Sequence, residues 1–445
     1  MTETAQLIVR GGRVIDPASG VDAVLDVRIV DGRIAELGAE LSNGTAKIVD
    51  ATGLVVSPGF IDLHVHLREP GQEHKETIES GARAAARGGF TTICAMPNTE
   101  PAMDSAAIID GVQQRARGVD CRVLPIGAVT MGRKGQELTE LAALRDAGAV
   151  AVSDDGDAVS DNAIARRAFE YLADLDLPLA EHCEDPAISQ GGVMHDGAVA
   201  ARLGLRGQPA AAELSIVQRD IALAEASGAQ FHGCHISTES ALEAIADARA
   251  RGLRVTAEVT PHHLFLSHDA VAGGGKELLY NTNAKVNPPL RTDADIEACI
   301  DALAAGVVEA VATDHAPHAE VDKCCEFDRA AFGISGLESA WPVVNTLVSR
   351  GRLRMVDAIA RLTVGPARTW NLDTGDRLGL GTLAVGAPAD IALLATDTPV
   401  KIDPDRWESR GKNTPLAGRD LVGVVAATIS QGRLVWDSRE QVEQR

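Results

Sequence analysis

The 445-residue chain is 45% hydrophobic and 24% charged, with a formal net charge of -21. That is enough apolar material for one large domain with an appendage, or for two or three ordinary ones, while the acidic balance sets nucleic acid aside as a partner, because phosphate backbones need basic surfaces. Aromatic residues make up only 3%, so the core must come from Ala, Val, Leu and Ile, as suits packed helices and buried parallel strands.

The opening Met1-Thr2-Glu3-Thr4-Ala5-Gln6 lacks the basic and apolar regions of a leader, and no later apolar run reaches membrane-spanning length, so no membrane partner is expected. Residues 7 to about 56 read as short strands, with Asp31-Gly32 between apolar runs as a hairpin signal. This module is too thin to carry its own core. Its complement lies at the far end, in Ala389-Asp390-Ile391-Ala392-Leu393-Leu394, Gly423 to Ile429 and Gly432 to Trp436.

Between the termini, apolar strands alternate with helical stretches such as 77–88 and 211–228, the signature of a parallel sheet with crossover helices. Eight candidate strands fall near 54–61, 91–96, 122–128, 149–153, 178–182, 230–235, 254–259 and 308–313. The expected architecture is α/β: a (β/α)8 TIM-type barrel over 57–371 and a small β-sandwich domain from 1–56 plus 372–445. An open doubly wound sheet is the alternative; a Gly-rich phosphate turn after the first strand is missing, and histidines stand there instead. Residues 260–291, with Gly273-Gly274-Gly275, and 316–334 form long connections of the kind that carry function.

Seven cysteines (Cys94, Cys121, Cys183, Cys234, Cys299, Cys324, Cys325) form an odd set without Cys-x-x-Cys spacing. That argues against a disulfide framework or a zinc knuckle and points to the reducing cytoplasm.

Polar residues gather at the carboxyl ends of the predicted strands. Strand one ends in His64 and His66, spaced to share one face; strand four ends in Asp154-Asp155-Gly156, five in His182, six in His235 and eight in Asp314-His315. An isolated His-x-His pair is equally at home in a core. Five strand ends together supply four imidazoles and carboxylates enough for a binuclear zinc-type site in which a carboxylate bridges two ions. Such ions share a water, lower its pKa to roughly 7 and polarise a carbonyl. Asp314 is the candidate general base and proton shuttle, with a helix-cap role as its alternative. Of Asp154 and Asp155 alternation turns only one to the mouth, and spacing does not choose. His315 is expected to point away from the metals and orient its neighbours. His232 is expected to face the opposite way from His235, His262 and His263 to be supporting or core residues, and Cys183 and Cys234 to alternate away from the metal as small apolar residues.

Pro58-Gly59-Phe60-Ile61-Asp62-Leu63-His64-Val65-His66 resembles the opening signature of the amidohydrolase superfamily. The extension to Gly71, together with Ala95-Met96-Pro97-Asn98-Thr99, Glu181-His182-Cys183-Glu184-Asp185, Ala257 to His263, Asn287-Pro288-Pro289-Leu290-Arg291 and Ala312 to His318, is similar to the dihydroorotases in particular. The resemblance implies a zinc-dependent cyclic amidase of pyrimidine synthesis, interconverting N-carbamoyl-L-aspartate and L-dihydroorotate. It implies two Zn2+: His64, His66 and Asp314 hold one, His182 and His235 the other, and Asp155 bridges them with a water or hydroxide. Some relatives use a carbamylated lysine there; this chain has no Lys between Lys134 and Lys276. The resemblance further implies substrate contacts from His66, Arg68, Asn98, Asn287 and His318 and from the backbone of Phe332 and Gly333. It is compatible with a homodimer or an association with aspartate carbamoyltransferase.

Overall fold

Eight short parallel strand positions close into a ring. In the computed structural model, which describes residues 6–273, 279–374 and 378–438, strand one is Phe60–Val65, two Phe90–Ala95, three Arg122–Pro125, five Leu179–Glu181, six Phe231–Gly233, seven Val255–Val259 and eight Ala310–Val311. Strand four is reduced to Val152, which bridges Gly127 on one side and Leu179 on the other. A bridge from Val65 to His315 joins the last strand to the first, so the barrel is closed and the open-sheet alternative falls. Gly274 and Gly275 of the glycine-rich run lie outside the described residues.

The crossover helices begin and end where their sequences dictate. Thr77 and Ser80 close a capping box at the start of Ile78–Arg87, and Ala211–Ser227 stops at Gly228, whose φ of 78° a glycine adopts without penalty. Ile61, Leu63, Cys94, Ala151, Ala180 and Ala312 share a core cluster with Trp370, Leu372 and Leu380. The chain just after the last barrel helix, Val364–Thr369, is therefore packed into the barrel's own core.

One predicted strand proves to be two. Val55–Pro58 pairs with strands from both termini, and the barrel strand starts only at Phe60. Gly59 makes the transition: a Cβ there would lie 2.2 Å from Thr91 Oγ1, so only glycine lets the chain pass strand two so closely. Val55–Pro58 joins Gln6–Asp16, Val21–Val30, Arg33–Gly38, Lys47–Asp50, Ile391–Lys401, Asp420–Ser430 and Arg433–Asp437 in one eight-stranded sheet. Asp31 and Gly32, with φ of 51° and 75°, form the expected tight hairpin turn. Val9, Val14 and Ile29 from the front of the chain pack with Ile391, Leu393 and Ile429 from the back. The small β domain is thus built from both termini.

Residues 403–419, the connection between two strands of this sheet, reach over to the barrel mouth. Asn413 there receives His318 N–H at 2.9 Å on Oδ1, and its Nδ2 donates to the carbonyls of Ala316 and Gly333, both at 3.0 Å. Ser409 donates at 2.5 Å to Glu76, the buried carboxylate beside His315.

Candidate active site

A bulge in strand one aims the histidine pair. Asp62 pairs with Ile93 and Val65 with Ala95, three steps against two, so one residue is extra and the facing of the strand changes between Asp62 and Val65. Asp62 fixes the bulge by accepting from Thr313 N–H at 3.0 Å and Thr313 Oγ1–H at 2.6 Å. Arg68, His235 and Asp314 take left-handed backbone, with φ of 61°, 36° and 45°. Such residues are uncommon outside glycine and gather at functional sites.

Asp155 sits among all four imidazoles. His64 Nε2 and His235 Nε2 lie 3.4 and 3.3 Å from its Oδ1, His182 Nδ1 3.6 Å from the same oxygen, and His66 Nε2 3.5 Å from Oδ2. Asp314 Oδ1 is 2.9 Å from His66 Nε2 and 3.5 Å from His64 Nε2. Asp154 turns the other way, where its carboxylate accepts from Val129 N–H at 2.9 Å, Thr130 N–H at 3.0 Å and the Thr130 hydroxyl. The reduced fourth strand is held by this clamp, with Arg133 adding two donors to the Asp154 carbonyl at 3.3 and 3.2 Å.

The donor chemistry fits a cation. His64 commits Nδ1 to Glu258 Oε1 at 2.8 Å, and with that nitrogen donating, the lone pair of Nε2 faces two carboxylates. Nε2 is buried and has no hydrogen-bond partner among the described residues. His66 repeats the pattern, with Nδ1 at 2.8 Å from Asn98 Oδ1 and Nε2 facing Asp314. Lone pair against carboxylate is repulsive unless a positive charge stands between them. His64, His66 and Asp314 make one group able to hold an ion, and His64, Asp155 and His235 another.

The electrostatics agree. Burial opposes charge on Asp155, yet His64, His182 and His235 hold its pKa well below the usual carboxylate range. Asp314 is likewise lowered against burial, through His66 and His64. Burial also opposes charge on His182, but Asp155 and Glu184 push it up to about 10. The field that draws a proton onto an imidazole draws a metal cation equally.

Arg68 spends little of its guanidinium on the protein: Nε donates to the Pro317 carbonyl at 3.3 Å, and Nη2 lies 3.4 Å from His318 Nε2. That nitrogen of His318 is 2.8 Å from the Phe332 carbonyl, to which it donates, so it offers Arg68 no lone pair. Burial lowers the Arg68 pKa to about 10, which leaves it charged. Arg68 and Asn98 each follow the Val65–Ala95 pair by three residues, past the carboxyl ends of neighbouring strands. Asn287 Nδ2 donates to Glu184 Oε2 at 2.6 Å and approaches His182 Nε2 at 3.1 Å. Gly333 N–H is taken by the Lys285 carbonyl at 3.0 Å and Gly333 C=O by Asn413.

Some residues depart from expectation. His232 is tied to the site: its Nε2 lies 3.2 Å from Glu258 Oε2, so one carboxylate serves His232 and His64. Cys234 lies in the core cluster with Ile61, Leu63 and Cys94, and its thiol forms a ligand-capable group with His64 and Glu258, separate from the groups that contain Asp155 and Asp314. His315 points away, its Nε2 3.4 Å from Glu76. Glu258 had no assigned role, although a carboxylate between Val255, Ala257 and Val259 is itself the signal of a buried polar site.

A family model described as Dihydro-orotase-like matches residues 53–241. The chain is 51% identical over 431 residues to a dihydroorotase of Anaeromyxobacter dehalogenans (strain 2CP-1 / ATCC BAA-258), covering 96% of this chain and 97% of that protein. The chain belongs to the dihydroorotase family. Another member, the dihydroorotase of Pelotomaculum thermopropionicum, is 47% identical, with 98% and 99% covered. Among solved structures, an L-hydantoinase (dihydropyrimidinase) from Arthrobacter aurescens superposes with a TM-score of 0.86 at 25% identity, covering 97% of this chain and 96% of that one. A D-hydantoinase does so with 0.85 at 21% identity, covering 98% and 96%. The dihydroorotase-family chain thus shares its barrel and terminal β domain with these amidohydrolases.

Proposed function

We propose that this protein is a dihydroorotase, catalysing the reversible cyclisation of N-carbamoyl-L-aspartate to L-dihydroorotate in pyrimidine synthesis. The observation that carries the substrate is Arg68, a buried guanidinium with most of its donors unspent, close to the histidine–aspartate cluster. It is suited to pair bidentately with the carboxylate that dihydroorotate carries and hydantoin lacks. Asn98, Asn287 and His318 complete the proposed contacts, with His66 and the backbone of Phe332 and Gly333.

His64, His66 and Asp314 would hold one zinc, His182 and His235 the other, and Asp155 would bridge them. Such a pair supplies Lewis-acid polarisation of the ring carbonyl and a water whose pKa is brought to about 7. Asp314, kept ionised by its histidines, accepts the proton of the attacking water and passes it to the ring nitrogen as the amide C–N bond breaks. Ring closure runs the same steps backwards. Glu258 and Asn98 fix the rings of His64 and His66 by holding their Nδ1 atoms.

The free, mostly buried thiols suit a reducing cytoplasm, and no described helix is long and apolar enough to cross a membrane. Zinc-supplied enzyme offered dihydroorotate, hydantoin and allantoin in parallel tests the assignment: turnover of dihydroorotate ahead of both others is expected, and preference for either sinks it.

A further inference from the structure

Strand seven runs into Thr260-Pro261-His262-His263. Val259 pairs with Val311 of strand eight, so His262 follows that pair by three residues past the end of strand seven, as Asp314 does past the end of strand eight. The His262 ring is 2% exposed and lies within electrostatic reach of Asp314, His235 and His64. Its neighbour His263 is fully engaged, with Nδ1 2.8 Å from Thr260 Oγ1 and Nε2 3.1 Å from the Pro288 carbonyl. The two rings pack with centroids 4.6 Å apart, so the anchored His263 steadies His262.

No such anchor holds His262 itself. Its buried Nε2 meets no donor or acceptor among the described residues. A buried polar atom left so is destabilising until it finds a partner, and this one lies beside the general base. A neutral imidazole carries one N–H donor and one lone pair.

Building on the dihydroorotase reading, we propose that His262 contacts the substrate, donating an imidazole N–H hydrogen bond to a ring carbonyl of the cyclic ureide beside Asp314. The ring nitrogen that Asp314 protonates lies between two carbonyls. A fixed donor on one of their oxygens strengthens as negative charge builds there during attack.

The test compares wild type with His262→Phe, His262→Ala and His262→Gln, all loaded with zinc. Removing the donor is expected to cut kcat/KM for dihydroorotate about a hundredfold in the Phe and Ala variants, and Gln, which keeps an N–H, to recover about tenfold. Should one deletion variant fail to fold, the other carries the same expectation. Zinc content by mass spectrometry is expected to match wild type throughout. In an Asp314→Asn background, calorimetry is expected to show weaker dihydroorotate binding once His262→Phe is added. A folded deletion variant within about threefold of wild-type kcat/KM overturns the proposal, as does absence of rescue by Gln or unchanged binding in calorimetry. Loss of zinc from a folded variant overturns it too, since it assigns the ring to the metal centre. Wild-type enzyme inactive on dihydroorotate instead overturns the functional reading on which the proposal rests, before any substitution is made.

Discussion

His64 Nδ1 and Glu258 Oε1 are 2.8 Å apart and both side chains are fully buried. The pair sets which nitrogen of His64 looks into the site, because a proton held on Nδ1 leaves Nε2 as the ligand. Glu258→Gln keeps the volume but weakens the acceptor and lets the ring adopt the other tautomer. Zinc affinity is expected to fall about 10- to 100-fold, measured by competition with a chromophoric chelator. Unchanged affinity would remove Glu258 from this role.

Asp314→Asn tests the proton shuttle. An amide oxygen still meets a metal ion but cannot take up a proton at neutral pH. Zinc is expected to remain while kcat drops by roughly a thousandfold, read by atomic absorption and by ring-opening assays on the same preparation. Activity close to wild type would end the general-base assignment.

Arg68→Lys keeps the charge and loses the planar fork. The KM for dihydroorotate is expected to rise by about tenfold, and Arg68→Gln to raise it further. A cyclic amide without a carboxylate should show no such difference between the variants; equal loss on both substrates would mean that Arg68 shapes the loop and not the recognition.

His195 gives a pH prediction remote from the chemistry. Burial, then Arg291, whose Nη1 lies 3.3 Å from its Nδ1, and His268 lower its pKa to about 4. In the unfolded chain the ring takes a proton near pH 6.5. The folded state is thus undisturbed above pH 6.5 and loses stability as pH falls towards 4, where only the unfolded chain gains the proton. His195→Gln should unfold with a flatter pH dependence across that window, seen in urea midpoints from pH 7 to 4. A parallel profile would refute the linkage.

Strand ends carrying His64, His66, His182, His235 and Asp314 were legible because the spacing of barrel strands forces their carboxyl ends to one rim. Asp155 was legible only by resemblance, since strand four has almost no ladder whose alternation could be counted. The bulge at strand one escaped detection for a related reason: an extra residue changes the facing without changing composition. Asn413 and Ser409 left no local trace, because their partners His318, Ala316, Gly333 and Glu76 lie 80 to 333 positions away in the chain.

The reach of residues 403–419 to the mouth makes the barrel and the terminal sheet a single catalytic object. His318 and Gly333 take their backbone support from Asn413, and the carboxylate beside His315 is held by Ser409. A barrel expressed without residues 372–445 would carry every metal-facing side chain and still lack the brace on its active-site loop. The two units therefore cannot be exchanged piecemeal between relatives: a chimera that joins the barrel of one to the β domain of another must also match Ser409 and Asn413 to the loops they brace.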